Sequence, residues 1–167
     1  STALPELHLR RDLTHAAQGS FEKHPLHQQT YPWSLAVLKL CQKLITGAES
    51  VTNEDGEVEF KSWPSIEQLI DIRKHVMSVS AKLAGGLSSE NRDPDELKVS
   101  LEFLGTAYNH LCISLFLFRN LLLERVKGEE DEKVKWLFNG FLDDGMAIEE
   151  ALRAHMERLR ARLWNNE

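Results

Sequence analysis

The residues of this chain with the greatest capacity for chemistry are its seven histidines, its two cysteines and an arginine inside an apolar stretch. Histidine ionises near neutral pH and serves as acid, base or metal ligand. Four histidines fall within the first 27 residues, namely His8, His15, His24 and His27. A zinc site needs three or four such ligands converging on one point, and no carboxylate or cysteine stands at the spacing typical of one. We therefore expect no metal and no cofactor, and interpret these histidines as partly exposed.

Three further candidates lie in the second half of the chain. His110 and Arg119 are in or beside the apolar segment YNHLCISLFLFRNLLLERV, and His155 falls on an apolar stripe. Because a buried charge is costly unless it is paired, we expect Arg119 either to meet a carboxylate or to extend its guanidinium to solvent. A ligand pocket in a helical bundle would have these three side chains on its wall, and the alternative is that they are structural. The sequence has no phosphate-binding glycine loop, nucleophile elbow or catalytic acid pair, so enzymatic activity is disfavoured.

Composition narrows the functional classes further. The net charge is -6, from 20 basic and 26 acidic residues, whereas proteins that bind duplex nucleic acid usually carry a basic face or a high pI. Nucleic acid is therefore disfavoured as a partner. Cys41 and Cys112 both lie in apolar helical contexts, and we expect them to be reduced core thiols of an intracellular protein, cytoplasmic or nuclear. The N-terminus lacks the apolar centre of a secretion signal.

Two short segments resemble parts of known families. Arg10 and His15 lie in RRDLTH, which resembles the Arg-x4-His motif of HEPN ribonucleases. That resemblance implies an all-α enzyme with a composite site at a dimer interface, although the motif of that family usually lies in a late helix. The segment EEALRAHMERLRARL is similar to the last helix of FCD ligand-sensing domains in GntR-type regulators, which bind a metal through an aspartate and several histidines. That resemblance implies a ligand- or metal-sensing domain, with His110 and His155 on inward faces.

The spacing of apolar residues, together with proline, glycine and capping residues, predicts an all-α fold. The predicted helices are Pro32–Gly47, Ser65–Gly85, Pro94–Lys127, a shorter one within residues 129–145 that Gly140 bends or ends, and a last one over residues 146–164. Between the first two, residues 49–61 carry five acids, one base and an NEDG turn, which indicates an acidic loop or a small β-hairpin. We expect an antiparallel bundle of four to five main helices over residues 32–167, preceded by an arm over residues 1–31 that is irregular or holds a short helix.

The predicted helix Pro94–Lys127 is expected to be the most central. Seven apolar positions follow a heptad spacing, and these are Leu101, Leu104, Tyr108, Leu111, Leu115, Phe118 and Leu122. Further apolar residues fill a second face of the same helix. Its apolar run, residues 111–123, spans about 20 Å, whereas a bilayer core needs about 20 apolar residues. The segment is therefore expected to be a packing helix, and no membrane partner is expected.

The function that the sequence predicts is protein–protein interaction, either as an adaptor or as a self-associating helical subunit without catalytic activity. The second apolar face of the central helix and the aromatic residues near helix ends offer apolar surface of the kind that anchors interfaces. Phe118 and Trp136 are the aromatic candidates, beside His110, Arg119 and His155. The partner would be another protein or a second copy of this chain. The opposing expectation is that the bundle itself buries the aromatic residues.

Overall fold

The computed structural model describes residues 21–88 and 93–165. Its elements are α1 (Pro25–Thr46), β1 (Glu49–Thr52), β2 (Val58–Lys61), α2 (Ile66–Ser88), α3 (Pro94–Leu123) and α4 (Glu129–Asn165). Helix α2 packs between α1 and α3, and α4 packs on α3 and on α1. The all-α bundle that the sequence predicts is therefore confirmed, with four helices in the described part of the chain.

The acidic connection between α1 and α2 is a two-stranded antiparallel hairpin, in which Glu49 pairs with Lys61 and Thr52 with Val58. The side chain of Asn53 accepts hydrogen bonds from the backbone N–H of Asp55 at 3.0 Å and of Glu57 at 2.9 Å. All eight strand positions are exposed. The hairpin is one of the two forms predicted for this segment, and it is held by its turn and backbone pairing without a buried face.

Helix α1 begins at Pro25, not at Pro32. The Nδ1 atom of His24 accepts a hydrogen bond from the Leu26 N–H at 3.1 Å, and Pro25 occupies the first turn, where its missing N–H costs nothing. Pro32 lies inside the helix and removes one internal hydrogen bond. The predicted start of this helix at Pro32 is therefore wrong, because the cap and the burial of Leu26 outweigh that loss. The division of the chain at residue 31 remains a prediction.

The sequence predicts that Gly85 ends a helix and that Gly140 bends or ends one, but both lie within continuous helices. Helix α2 passes through Gly85 and ends at Ser88, and α4 is a single helix of 37 residues that includes Gly140, in place of the two predicted. Glycine disfavours a helix by only about 1 kcal/mol, which tertiary packing readily offsets. Helix α3 ends at Leu123, earlier than the predicted Lys127, because the next residue adopts an extended conformation.

Two other glycines, Gly86 and Gly145, mark places where α3 approaches a neighbouring helix closely. A Cβ atom on Gly86 of α2 would lie 2.6 Å from Leu104 Cδ2, and one on Gly145 of α4 would lie 2.5 Å from Leu115 Cδ2. Such separations are far below ordinary contact distances between carbon atoms. A glycine at these two positions therefore lets a leucine of α3 occupy the volume that a side chain would take.

The core lies along the heptad positions predicted on α3. Leu104, Leu111, Leu115 and Phe118 are buried, and Leu101, Tyr108 and Leu122 are partly buried against the same core. The Phe118 ring contacts the rings of Trp33, Phe138 and Phe141 at centroid distances of 6.2, 5.7 and 6.4 Å. The Trp33 Nε1–H donates to the Phe141 carbonyl at 2.9 Å, which fixes α1 to α4 beside this aromatic cluster.

Candidate functional site

The surface of α3 that turns away from the core carries an apolar strip, which we call the outer face of α3. It consists of Asn109, Ile113, Phe116, Asn120 and Leu123, all exposed. These positions recur every three or four residues and therefore share one side of the helix. The exposed fractions of the three apolar members are 39% for Ile113, 59% for Phe116 and 82% for Leu123. The most apolar of the described helices therefore exposes large apolar side chains to solvent.

This strip belongs to the second apolar face that the sequence indicates. Of the other apolar residues on that part of α3, Leu121 is buried and Leu117 is half-buried. The bundle therefore covers one part of the second face and leaves the outer face in water. Among the described residues, α3 is the one helix long and apolar enough, by length and composition, to cross a membrane, and 33% of its most apolar 18-residue window is buried.

Arg119 lies at one edge of this region. It is exposed and lines a shallow cavity of about 430 Å³ between α3 and α4, together with Cys112, Glu149 and Arg153. The described residues of its wall include two arginines and two glutamates, so their formal charges balance. This balance gives the cavity no preference for an anionic ligand over a cationic one.

A network of three side chains joins α3 to α4 beside that cavity. The Tyr108 hydroxyl donates to Glu149 Oε1 at 2.6 Å, and Arg153 Nε donates to the same oxygen at 3.1 Å. The hydrogen bond from Tyr108 holds the pKa of the Glu149 carboxyl below its usual range, and the same bond raises the pKa of Tyr108. Such a carboxylate is a weak base and such a phenol is a weak acid. The network therefore suits a structural role better than proton transfer.

His110 contacts a residue that sequence reasoning did not select. Its Nδ1 lies 2.8 Å from Nδ1 of His75 on α2, and Asp71 Oδ1 lies 3.5 Å from His75 Nε2. Burial lowers the pKa of His110, and His75 adds to the effect. At this separation one of the two Nδ1 atoms carries the hydrogen and donates it to the other. The two histidines are 35 residues apart in the sequence, so neither a motif nor a helical period relates them.

His155 lies on another side of the bundle. It is 5% exposed, its ring meets the His24 ring edge-on at a centroid distance of 4.8 Å, and Arg158 Nη2 lies 3.5 Å from its Nδ1. His110 faces α2, whereas His155 faces the start of α1. The two histidines that the FCD resemblance would place around one metal therefore have different neighbours. No group of three or more His, Cys, Asp or Glu suited to a metal occurs within residues 21–88 and 93–165.

The two aromatic candidates occupy opposite environments. Phe118 is 0% exposed and belongs to the core, so a partner has no access to it. Trp136 is 72% exposed on α4 and borders a shallow cavity whose lining residues all belong to α4. The ribonuclease motif of Arg10 and His15 lies outside the described residues.

The two cysteines also differ. Cys41 is fully buried in α1, and this burial raises the pKa of its thiol to about 12. Cys112 is exposed on α3. The expectation of two core thiols is therefore wrong for Cys112, because its position on α3 turns it away from the heptad seam.

Comparison with known proteins gives no relative from which a function could be carried over. No protein-family model, no curated protein and no solved structure matches this chain.

Proposed function

We propose that this chain is a non-catalytic protein-interaction module that self-associates through the outer face of α3. The observation that carries the proposal is the exposure of Ile113, Phe116 and Leu123 along one side of the most apolar helix. Monomeric proteins expose single apolar residues freely, but several large apolar side chains along one side of a helix, with polar groups among and beside them, are typical of an interaction surface. Asn109, Asn120 and Arg119 supply polar groups within and beside the strip.

The strength of the association follows from the area that remains to be covered. The exposed fractions of the three apolar side chains add up to a little under two complete side chains. Complete burial of a Leu, Ile or Phe side chain is worth about 1.5–3 kcal/mol, so each copy contributes roughly 3–5 kcal/mol. Association itself costs an estimated 4–15 kcal/mol. The cost overlaps the gain from the two copies, so only a small net free energy remains at the favourable end of these ranges, and we expect a weak dimer with a dissociation constant between about 10 µM and 1 mM.

A second copy of this chain is the simplest partner that could cover the outer face of α3. A two-fold arrangement places the same patch on both sides of the interface, so both copies lose their exposed apolar surface in one contact. Antiparallel pairing of two α3 helices about Phe116 would set the two phenyl rings near the axis. It would also set Ile113 of each copy near Asn120 of the other. Ring-to-ring contacts of this kind add to the energy of area burial.

Sedimentation equilibrium on the purified chain tests the proposal. The average mass should rise above 19.1 kDa as the concentration increases from about 10 µM toward 1 mM, a range that brackets the expected dissociation constant. Phe116→Glu and Leu123→Glu should each remain at the monomer mass throughout that range. Both positions are exposed, so the thermal unfolding of these variants should be close to that of the parent chain.

Trp136→Glu is the matched control, because it also replaces an exposed apolar side chain by a carboxylate, but on α4. It should associate as the parent chain does. A parent chain that keeps the mass of one copy at every concentration would contradict self-association. Dimer loss in the Trp136 variant, with retention in the Phe116 variant, would move the interface to α4 and refute the assignment to α3.

An intracellular location, cytoplasmic or nuclear, is part of the same proposal. The exposed thiol of Cys112 lies next to the outer face of α3, and reducing compartments keep such thiols from forming adventitious disulfides. Fractionation of cells that produce the tagged chain, with blotting for the tag, would test this location. Recovery in the secreted fraction would contradict it.

A further inference from the structure

A second feature of the bundle lies away from α3, between α1 and α2. A cavity of about 660 Å³ opens there, and we call it the α1–α2 cavity. Its volume falls inside the range of roughly 300–1,000 Å³ typical of small-molecule sites. Its walls are mainly apolar and include Leu35 and Leu38 of α1 and Met77 and Ala81 of α2. The cavity has the size and the lining of a binding site.

Three hydroxyl groups stand among these apolar walls. The Ser80 hydroxyl donates to Ser34 Oγ at 2.7 Å, and the Ser34 hydroxyl donates to the Tyr31 carbonyl at 2.9 Å. Thr30 also lines the cavity and is 1% exposed, and its hydroxyl has no hydrogen-bond partner among the described residues. Buried polar groups nearly always have a partner. The Thr30 hydroxyl, buried in the cavity wall, therefore has an unused donor, and the Ser80 oxygen retains acceptor capacity.

The rim of the cavity is aromatic. The His27 imidazole stacks on the Tyr31 ring at a centroid distance of 5.2 Å, and the Phe21 ring meets His27 edge-on at 5.0 Å. All three side chains line the α1–α2 cavity. Aromatic rings contribute large apolar area with little loss of conformational freedom, so this rim suits an apolar body that emerges from the cavity.

The charges around the cavity decide between ligand classes. No Lys or Arg occurs among its described lining residues, and Glu22 is the acid among them. An anionic headgroup, such as a fatty carboxylate, would lose its hydration without gaining a cationic partner. A hydroxyl headgroup, in contrast, both donates and accepts hydrogen bonds, which matches the free capacities of Thr30 and Ser80.

We propose that the α1–α2 cavity binds a neutral, mainly apolar molecule that carries one hydroxyl group, with the hydroxyl placed between Thr30 and Ser80. This site is separate from the outer face of α3, so the inference does not depend on self-association. It also differs from the ligand pocket predicted from the sequence, because His110, Arg119 and His155 are not among its described lining residues.

Competition with a neutral fluorophore, N-phenyl-1-naphthylamine, tests the inference on the full chain. The fluorophore should brighten on binding, and 1-decanol should displace it. Decanoate, which has the same chain length but a negative charge, should compete at least about tenfold more weakly. Butylbenzene, an apolar competitor without a hydroxyl, serves as the reference for purely apolar binding.

Two variants and one control variant test the location of the site. Thr30→Val keeps the shape of the side chain and removes the hydroxyl, so it should weaken 1-decanol about tenfold and leave butylbenzene unchanged. Ala81→Trp places an indole over the cavity from an exposed helical position and should abolish displaceable binding of the fluorophore. Ala161→Trp, an exposed substitution on α4, should bind as the parent chain does.

Several results would overturn the proposal. These are failure of 1-decanol to displace the fluorophore, equal affinity of decanol for the parent chain and Thr30→Val, and full binding by Ala81→Trp. Binding that occurs only after removal of residues 1–20 would also overturn it, because the chain itself would then compete for the cavity. The monomer–dimer equilibrium of the parent chain is measured separately, so loss of either proposal leaves the other intact.

Discussion

Alanine substitution should stabilise the chain at one glycine of α4 and fail to stabilise it at another. Gly140 and Gly145 lie in the same continuous helix and differ in what surrounds them. A Cβ on Gly140 would meet no atom within 4 Å. A Cβ on Gly145 would lie 2.5 Å from Leu115 Cδ2 and 3.2 Å from Trp33 Cζ2. The two substitutions therefore share their effect on the backbone and differ in packing.

The magnitudes follow from these two terms. Replacing glycine by alanine within a helix favours the folded state by about 0.8–1.0 kcal/mol, and this is the whole effect expected for Gly140→Ala. Overpacking a core typically costs about 1–3 kcal/mol. Leu115 is 4% exposed and Trp33 is held by its hydrogen bond to Phe141, so neither side chain moves aside freely. Gly145→Ala should thus be neutral to about 2 kcal/mol less stable than the parent chain.

Urea denaturation followed by far-UV circular dichroism measures both changes. The difference between the two variants isolates the overpacking, about 1–3 kcal/mol, which corresponds to a separation of roughly 2–12 °C in melting temperature for a chain of this size. The slope of the denaturation curve should be the same in all three proteins, since a change in slope would indicate an altered unfolded state.

Two results would refute this reasoning. Destabilisation by Gly140→Ala would indicate that α4 is interrupted there, as the sequence predicts, because alanine strongly disfavours the positive φ angles that glycine adopts at a helix end. Stabilisation by Gly145→Ala of the same size as at Gly140 would show that Leu115 does not occupy the space above Gly145.

Three further predictions, which use four substitutions, have defined outcomes. The pKa of His110 lies below its ordinary value of 6.5, so this imidazole binds a proton at higher pH in the unfolded chain than in the folded chain. The free energy of unfolding should therefore fall as pH drops below about 6.5. In thermal melts at pH 7.5 and 5.5, the difference in stability between the two pH values should be smaller for His110→Gln than for the parent chain. Phe118→Ala should cost about 3–5 kcal/mol in urea denaturation, whereas Trp136→Ala should change stability by no more than about 0.5 kcal/mol. Tyr108→Phe removes the hydrogen bond to Glu149 and should cost about 1–2 kcal/mol in the same assay.

Each of these changes has an outcome that would contradict its explanation. Equal pH dependence in the parent chain and His110→Gln would remove His110 as the cause. A tolerated Phe118→Ala would show that the aromatic cluster is not the core of the bundle. If Tyr108→Phe is as stable as the parent chain, the hydrogen bond from the Tyr108 hydroxyl to Glu149 contributes no more than the bond that the same hydroxyl makes to water in the unfolded chain.

The apolar spacing was sufficient to predict the fold class, and on α3 it also predicted the buried side of the helix, because a seam that repeats over seven positions has few alternatives to packing inside a bundle. The helix ends were harder. Proline at position 32 and glycine at positions 85 and 140 are ordinary signals of a boundary. At each of them the helix nevertheless continues, and a sequence alone does not reveal which glycine has a neighbour's side chain above it.

The candidate sites show the same limit. Sequence position identified His110 and Arg119 as polar residues beside an apolar run, but not the face on which each lies. His75 became relevant to His110 only once α2 and α3 were placed together. Thr30 gave no signal at all, because a threonine in a helix is unremarkable until its hydroxyl is known to be buried without a partner.

Because the two cysteines differ in exposure, the chain can be labelled at a single thiol without mutagenesis. Cys41 is inaccessible and its pKa is about 12, so it forms almost no thiolate at neutral pH, whereas Cys112 is exposed beside Ile113 and Phe116. A maleimide dye or a nitroxide spin label would therefore attach at one position. That position borders the outer face of α3, so a label on Cys112 would report the binding of a partner to this face without any substitution in the chain.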